Sequence, residues 1–311
     1  MFFNKYFDAV KKIFVNPHWA IGVAEGFSAG DVLSHPPEKL QWFKAPGKYD
    51  FYADCFITDH FGEPIIFFEN WSAKNGLGVI SYVRLSDVRE QALNIDQYIH
   101  TVLKNDTHFS YPFLFEYENE LYMLPENYQS NGISLYKAGS TPDEWRHQKV
   151  ILPNIAGVDP VIFSYNDAWW LFLTVRSRSG DTADTDLGIW YADTPFGPWS
   201  PHAKNIIHAK KPVIRNGGTP FVHEGQLYRP VQDCSQTYGG AVVIMHISKL
   251  TSDEFIEDPV SRLSGSAPFE KACHTYSSCG NITVVDGNQA EYSLLMPFYF
   301  IKYVMNIFKR R

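Results

Sequence analysis

Short β-rich runs separated by turn residues dominate the hydrophobic pattern, and one arrangement of them recurs. In HFSYPFLFEYENELYMLPEN (residues 108–127) the apolar runs FLFEY and ELYML flank the turn-forming Glu118-Asn119-Glu120, and a carboxylate, Glu126, follows directly. DCFITDHFGEPIIFFEN from Asp54, DPVIFSYNDAWWLFLTVRS from Asp159, TPFVHEGQLYRPVQD from Thr219 and GNITVVDGNQAEYSLLM from Gly280 share this layout. Each is a leading residue, a β-rich run, a turn signal and a second β-rich run. The turn signals are His60-Phe61-Gly62-Glu63, Tyr165-Asn166-Asp167, His223-Glu224-Gly225 and Asp286-Gly287-Asn288, where Gly, Asn and Asp tolerate turn dihedrals.

The units recur about every 50–60 residues, near the spacing of four-stranded propeller blades. A third run follows most hairpins (GVISYVRL, GISLYKAG, GIWYADT, AVVIMHIS), and a more polar fourth run follows some (DEWRHQKVIL, GPWSPHAKNII). Four strands in each of five units predict an all-β fold, a five-bladed β-propeller over residues 18–297 with short terminal helices. HWAIGVAEG (residues 18–26) is expected to pair into the last blade and close the ring, because an open ring leaves sheet edges unpaired. A β-sandwich also shows many short strands, but sandwiches rarely repeat one hairpin register. Helical period is scarce; residues 85–104, with Val88, Leu93, Ile95 and Ile99 apolar, hold a short helix between the first two blades.

Composition narrows the classes. The 311 residues are 45% hydrophobic and 16% aromatic, enough for a large core. A net charge of -7 argues against a general nucleic-acid binder, which needs a basic face. The 8 Trp, 18 Tyr and 23 Phe suit strands and also supply stacking surfaces for sugar rings. Cys55, Cys234, Cys273 and Cys279 form no C-x-x-C pair, and the N-terminus lacks the continuous apolar core of a secretory signal. Reduced thiols in a cytoplasmic protein are the expectation.

In a propeller the inner strands line a central channel, so matching residues of the units converge. Second strands end in Glu69, Glu126, Arg176 and Gln232-Asp233, and first strands begin at Asp54, Tyr111, Asp159 and Thr219. Carboxylates near Arg176, Arg178, Arg215, Arg229 and His274 make a polyhydroxyl or phosphate site, with Trp71, Tyr111, Tyr128 and Tyr238 as ring-covering faces. The plain alternative is that each polar group only satisfies a strand end. The candidate catalytic set is Asp54, Glu126, Asp159 and Asp233. The candidate substrate-binding set is Glu69, Tyr111, Arg176, Arg215, Arg229, Gln232, Tyr238 and His274.

ADCFI, HFSYPFLFEYENELYMLPE, VDPVIFSYNDAWWLFLT and GQLYRPVQDCSQTYGG resemble the N-terminal domain of plant glucosamine inositolphosphorylceramide transferases and its stand-alone bacterial relatives. The resemblance covers residues from about 18 to 297. In the plant proteins a separate C-terminal domain resembles a conventional glycosyltransferase, and nothing here matches it. More distantly, the blades resemble the five-bladed glycoside hydrolases of arabinanase and β-xylosidase type. That resemblance implies Asp54 as base and Asp159 as a pKa-tuning carboxylate. The fourth-blade acid it calls for is missing, because Arg215-Asn-Gly-Gly-Thr-Pro stands there. A guanidinium suits a phosphate leaving group, which turns the expectation towards glycosyl transfer from a phosphate-activated sugar in surface-polysaccharide or glycolipid assembly. Hydrolysis of arabinanase type and non-catalytic glycan binding are the alternatives. A glycan or sugar-phosphate is the expected partner.

No cofactor is expected. Asp184-Thr185-Asp186 has the Asp-x-Asp spacing that holds a divalent ion in many sugar-nucleotide transferases, although a solvated turn reads the same way. The ends, residues 1–17 and 298–311, interleave aromatic and aliphatic residues with Lys and Arg. They read as basic amphipathic segments suited to peripheral contact at the inner face of a membrane, or to packing on the propeller. Neither reaches the roughly 20 apolar residues of a span.

Overall fold

The computed structural model describes residues 15–16, 18–90, 95–176, 186–208, 213–289 and 291–292. Of the terminal segments, residues 1–14, 17 and 298–311 lie outside them, as do Arg178, Asp184 and Thr185, while Val15–Asn16 pairs with Glu291–Tyr292. The strands form five antiparallel blades around one axis. Blade 1 contains Phe51–Thr58, Ile65–Ser72, Leu77–Arg84 and His100–Leu103. Blade 2 contains Ser110–Tyr117, Glu120–Glu126, Gly132–Ala138 and Trp145–Pro153. Blade 3 contains Gly157–Tyr165, Ala168–Val175 and Asp186–Ala192, edged by the short strands Ser200–Pro201 and Ile207–His208. Blade 4 contains Val213–Asn216, Phe221–His223, Gln226–Asp233, Ala241–Leu250 and Phe255–Ser264. Blade 5 joins the two ends of the chain: Tyr276–Cys279 and Ile282–Asn288 pair with Trp19–Glu25 and Gln41–Lys44. This closure leaves the second strand of blade 5 hydrogen-bonded on both sides.

Turn chemistry sets the hairpin registers. Tyr117 pairs with Glu120, Tyr165 with Ala168 and His223 with Gln226, so each of these loops has two residues. Their central residues have φ of 52° and 60° (Glu118, Asn119), 50° and 59° (Asn166, Asp167), and 49° and 76° (Glu224, Gly225). Two consecutive positive φ values are the type I′ signature, whose twist matches that of the strands. Large apolar side chains then fill the spaces between blades. One buried cluster runs through blades 1 to 4, including Phe56, Phe113, Phe172 and Leu227. A second joins blades 5 and 1 through Ile21, Phe43 and Phe68, and a third joins blades 4 and 5 through Ile244, Leu263 and Tyr276.

Between the first two blades, the expected helix is one short turn, Leu85–Glu90, followed by a 3-10 turn at Asp96–Tyr98 and the outer strand of blade 1. The fifth hairpin corrects the sequence reading. Its turn lies at Gly280 and Asn281, where Cys279 pairs with Ile282, and Asp286-Gly287-Asn288 continues a strand. Pairing on both edges overrides the local turn preference. Gly287 meets a packing demand there: a Cβ would stand 2.5 Å from the Trp42 ring, which also covers Gly22.

One backbone feature aims the site. The first strands of blades 1, 2 and 3 shift register between Ala53 and Phe56, Ser110 and Phe113, and Val158 and Val161. Within each shift one residue is left-handed: Asp54 (φ 53°), Tyr111 (φ 45°) and Asp159 (φ 48°). Such a conformation is costly for a residue bearing a Cβ and concentrates at functional sites. In blade 4 the corresponding residue is Gly218 (φ 142°), one position before Thr219; a Cβ there would lie 1.8 Å from the Tyr276 carbonyl oxygen.

Candidate functional site: a buried acid–base cluster on the propeller axis

Left-handed residues turn their N–H groups and side chains towards the axis, and buried N–H groups need acceptors. Asp54 N–H donates to Asp286 Oδ2 (3.1 Å), Tyr111 N–H to Asp54 Oδ2 (3.3 Å) and Asp159 N–H to Glu126 Oε2 (3.2 Å). Gly218 N–H donates to the Tyr111 hydroxyl (2.8 Å), so Tyr111 crosses the axis from blade 2 to blade 4. These bonds bear out the plain reading in part, because the polar ring does satisfy strand backbones. They leave most of its charge unexplained.

Five carboxylates meet there among the described residues: Asp54 and Glu69 of blade 1, Glu126 of blade 2, Asp159 of blade 3 and Asp286 of blade 5, all buried. Arg215 of blade 4 clasps Asp159 through Nε and, at 3.2 Å, through Nη2, and lies 3.5 Å from Glu126 Oε2. Gln232 Nε2 donates to Asp159 Oδ2 (2.8 Å) and to the Asn216 carbonyl (2.8 Å), while Asn216 Nδ2 donates to the Asp159 carbonyl (2.7 Å). His274 of blade 5 holds Asp286 at 2.5 Å through Nδ1 and stands 3.7 Å from Asp54 through Nε2. Trp19 stacks on His274 at 4.0 Å, and Thr275 Oγ1 donates to Asp54 (3.2 Å). Tyr238, 54% exposed, forms the rim, edge-on to His274 and 5.4 Å from the Arg215 guanidinium.

Burial and charge crowding separate the acids. Burial pushes the Asp54 carboxyl up to about 6; His274 opposes this, and Asp159 and Asp286 add to it. Burial, with the Asp159 charge second, holds Glu126 well above the carboxylate range against the pull of Arg215. Burial also raises Glu69, helped by Asp54 and Glu126. For Asp286 burial works upward but His274 outweighs it, and the carboxyl stays low. Burial disfavours the charged His274 imidazole, yet Asp286 and Asp54 keep its pKa above the ordinary value. Burial and crowding thus push Asp54, Glu69 and Glu126 towards the protonated form while His274 holds Asp286 low, and acids whose pKa values are driven apart suit acid–base chemistry.

Eight of the twelve sequence candidates come together here: Asp54, Glu69, Tyr111, Glu126, Asp159, Arg215, Gln232 and His274, with Tyr238 at the rim. Three stand elsewhere. Asp233 turns away to Arg262 and the Ser235 N–H, which hold its carboxyl low against burial. Arg229 is fully buried inside blade 4, forked onto Glu257 (3.0 and 2.6 Å) and bonded to Asn216 (2.7 Å). Arg176 is exposed and stacks on Tyr128 at 4.1 Å. In each case strand alternation decides: one residue along a strand reverses the direction of the side chain. Trp71 packs on Phe51 at 5.1 Å. The sequence reading missed Asp286, Asn216, Thr275 and Trp19. A blade-by-blade register for unit five would have placed Asp286 level with the ends of the other second strands.

Asp54, His274 and Asp286 bring ligand-type atoms within 4.8 Å of one another. His274 Nδ1 is engaged by Asp286, which leaves Nε2 and Asp54, fewer protein donors than a metal centre ordinarily uses.

A five-bladed propeller with an acid–base cluster on its axis is the class these features define. The chain belongs to the family described as glucosamine inositolphosphorylceramide transferase 1, N-terminal, whose model matches residues 43–277. It is 38% identical over 214 residues to glucosamine inositolphosphorylceramide transferase 1 of Oryza sativa subsp. japonica, covering 68% of this chain and 28% of that protein. The protein of the same name from Arabidopsis thaliana is 38% identical over 152 residues, covering 48% and 20%. The chain therefore spans under a third of the length of these relatives. Among solved structures, an exo-beta-1,3-galactanase from Phanerochaete chrysosporium with beta-1,3-galactotriose aligns with a TM-score of 0.52 at 11% identity, covering 87% of this chain and 64% of that one. This is a likeness of fold.

Proposed function

We propose that the axial cluster binds a glycosyl donor and transfers the sugar to a hydroxyl acceptor by acid–base catalysis, in the assembly of a glycolipid or surface polysaccharide. The observation that carries the reading is the convergence of five buried carboxylates with one arginine and one histidine. Displacement at an anomeric carbon passes through an oxocarbenium-like state, and a carboxylate-rich site favours positive charge developing on a sugar. Glu126 is the proton donor to the departing oxygen, because burial and the Asp159 charge raise its carboxyl well above the ordinary range. Asp54 is the base that receives the acceptor's proton. Asp159, clasped by Arg215, sets the charge beside Glu126. Gln232 Oε1 is buried with no hydrogen-bond partner among the described residues, and offers itself to a substrate hydroxyl.

Arg215 has a different part from the phosphate contact expected of it. Its charge is matched by Asp159, with Glu126 Oε2 3.5 Å away, and the ionised carboxylates of the cluster would repel a diphosphate. The sugar ring belongs in the cluster, with any phosphate held outside it. The relatives' name contains glucosamine; an ammonium on the sugar would suit the excess of carboxylates, so amino sugars are the preferred donors. Family membership supports transfer over hydrolysis.

The test is a screen of nucleotide sugars and oligosaccharides, with and without hydroxyl acceptors, analysed by mass spectrometry. A glycosylated acceptor that disappears in Glu126→Gln supports the proposal. Free sugar without acceptor product would reassign the site to hydrolysis, and binding without turnover would make it a recognition module.

A further inference from the structure

Among the described side chains, Tyr238 is the only Phe, Tyr or Trp that is mostly exposed; every other one is buried or half-buried. Packing accounts for the other rings and leaves this one over. It stands at the mouth of the axial cluster, in the loop that follows the second long strand of blade 4. Backbone bonds hold that loop. The Gly240 N–H donates to the Asp233 carbonyl (3.0 Å), the Gly239 N–H to Cys234 Sγ (3.4 Å), and the Cys273 N–H, from the segment leading into blade 5, to the Gly239 carbonyl (3.0 Å). Gly239 is left-handed (φ 58°), and a Cβ there would come within 2.7 Å of the His274 Cβ. The backbone beside the ring is thus fixed, although the ring itself is open.

Two groups of the cluster border the ring: the Arg215 guanidinium at 5.4 Å from its centre, and His274 edge-on at 5.5 Å. Through them Tyr238 is one contact away from the catalytic carboxylates, since Arg215 clasps Asp159 and His274 Nε2 is 3.7 Å from Asp54. An aromatic face beside carboxylates is the pairing that a sugar ring calls for: its C–H face stacks and its hydroxyls donate. In the reading above, the donor sugar occupies the buried cluster, and a departing phosphate offers no apolar face to an aromatic ring. The ring left to cover Tyr238 is the acceptor's. We propose that Tyr238 is the platform of an outer ring subsite, on which the pyranose carrying the acceptor hydroxyl stacks. The acceptor assignment rests on the transfer reading; the ring subsite itself does not. Tyr238 then determines specificity, favouring hydroxyls borne on a ring over those of acyclic alcohols.

Saturation-transfer difference NMR of the full chain, with no donor present, tests the subsite. The probes are methyl β-D-glucopyranoside and methyl β-D-galactopyranoside, whose axial C–H bonds form an apolar face, and sorbitol, which has hydroxyls but no ring. At least one pyranoside should receive saturation at its ring C–H protons, and sorbitol should receive little. Titration should show that pyranoside bound about tenfold more weakly by Tyr238→Ala, and within about twofold of wild type by Tyr238→Phe, which keeps the ring. No saturation of either pyranoside, equal saturation of sorbitol, or unchanged binding by Tyr238→Ala overturns the subsite. An equal loss in Tyr238→Phe overturns stacking, since the hydroxyl would then be the contact. If Tyr238→Ala fails to fold, Tyr238→Leu, which keeps apolar bulk without a flat face, makes the same comparison. Where transfer is found, Tyr238→Ala should raise the acceptor KM about tenfold, with kcat and the donor KM within a few-fold. A rise in the donor KM instead overturns the acceptor assignment. Where transfer is not found, the transfer reading fails and takes the acceptor assignment with it, while the NMR outcomes still decide the ring subsite.

Discussion

Asp54 and Asp233 are 7% and 8% exposed, yet their partners give them opposite characters. Asp233 has Arg262 and the Ser235 N–H, and is held ionised. Asp54 faces other carboxylates, and burial pushes its carboxyl up to about 6. Asp54→Asn and Glu126→Gln should each lower transfer by roughly 10²–10⁴-fold, the usual contribution of a positioned acid or base. Asp233→Asn should stay within a few-fold of wild type in the same assay, and an equal loss there would return Asp233 to the catalytic set. Arg229 illustrates the opposite trade. Its fork onto Glu257 is buried within one blade, so Arg229→Met should cost about 3–5 kcal/mol by leaving a carboxylate unpaired. Chemical denaturation measures that cost; a change below about 1 kcal/mol would mean Glu257 escapes to water.

Hairpins and register shifts are the elements that build the site. Type I′ turns fix where the second strands of blades 2, 3 and 4 start, and the shifts in the first strands of blades 1, 2 and 3 turn Asp54, Tyr111 and Asp159 inward. Glu118 is the poorest residue for its turn, being non-glycine at φ 52°. Glu118→Gly should stabilise the protein by about 1 kcal/mol, the lower end of the left-handed penalty, seen as a higher melting temperature with unchanged transfer. A lowered melting temperature would show that Glu118 makes a compensating contact. The repeated hairpin was legible because its turn residues are local signals. The register shifts were not, since no residue type announces a left-handed Tyr or Asp inside a strand. Only the recurrence of Asp54, Tyr111 and Asp159 at matching positions hinted at them.

Across the whole molecule, burying the cluster ties stability to pH. Asp54, Glu69 and Glu126 have folded-state pKa values above their unfolded ones, so the native chain binds more protons in the range between. Their contribution is full below the unfolded values and is lost as pH rises through the folded ones, about 6 for Asp54. His274, also raised, loses its contribution in the same direction. Asp286 runs oppositely: its low folded value contributes above the ordinary carboxylate range and is lost as pH falls through it. Melting temperature should therefore fall between roughly pH 5 and pH 8, and Asp54→Asn should flatten the part near pH 6. A curve that rises over that interval would place the acids in the ionised state.

Taken alone, the chain determined the all-β class, the fivefold repeat and most members of the axial set, because turn residues and period-two runs act over a few neighbours. The closing of blade 5 by Trp19–Glu25 was also visible, since an unpaired edge demands a partner. Tertiary structure alone decided that Arg215 faces Asp159, that Asp286 belongs to the site, and that Asp233, Arg229 and Arg176 do not. Those outcomes depend on which face of a strand a side chain takes and on which blade lies opposite. Both are set by packing across the ring, between residues as far apart as Asp54 and Asp286.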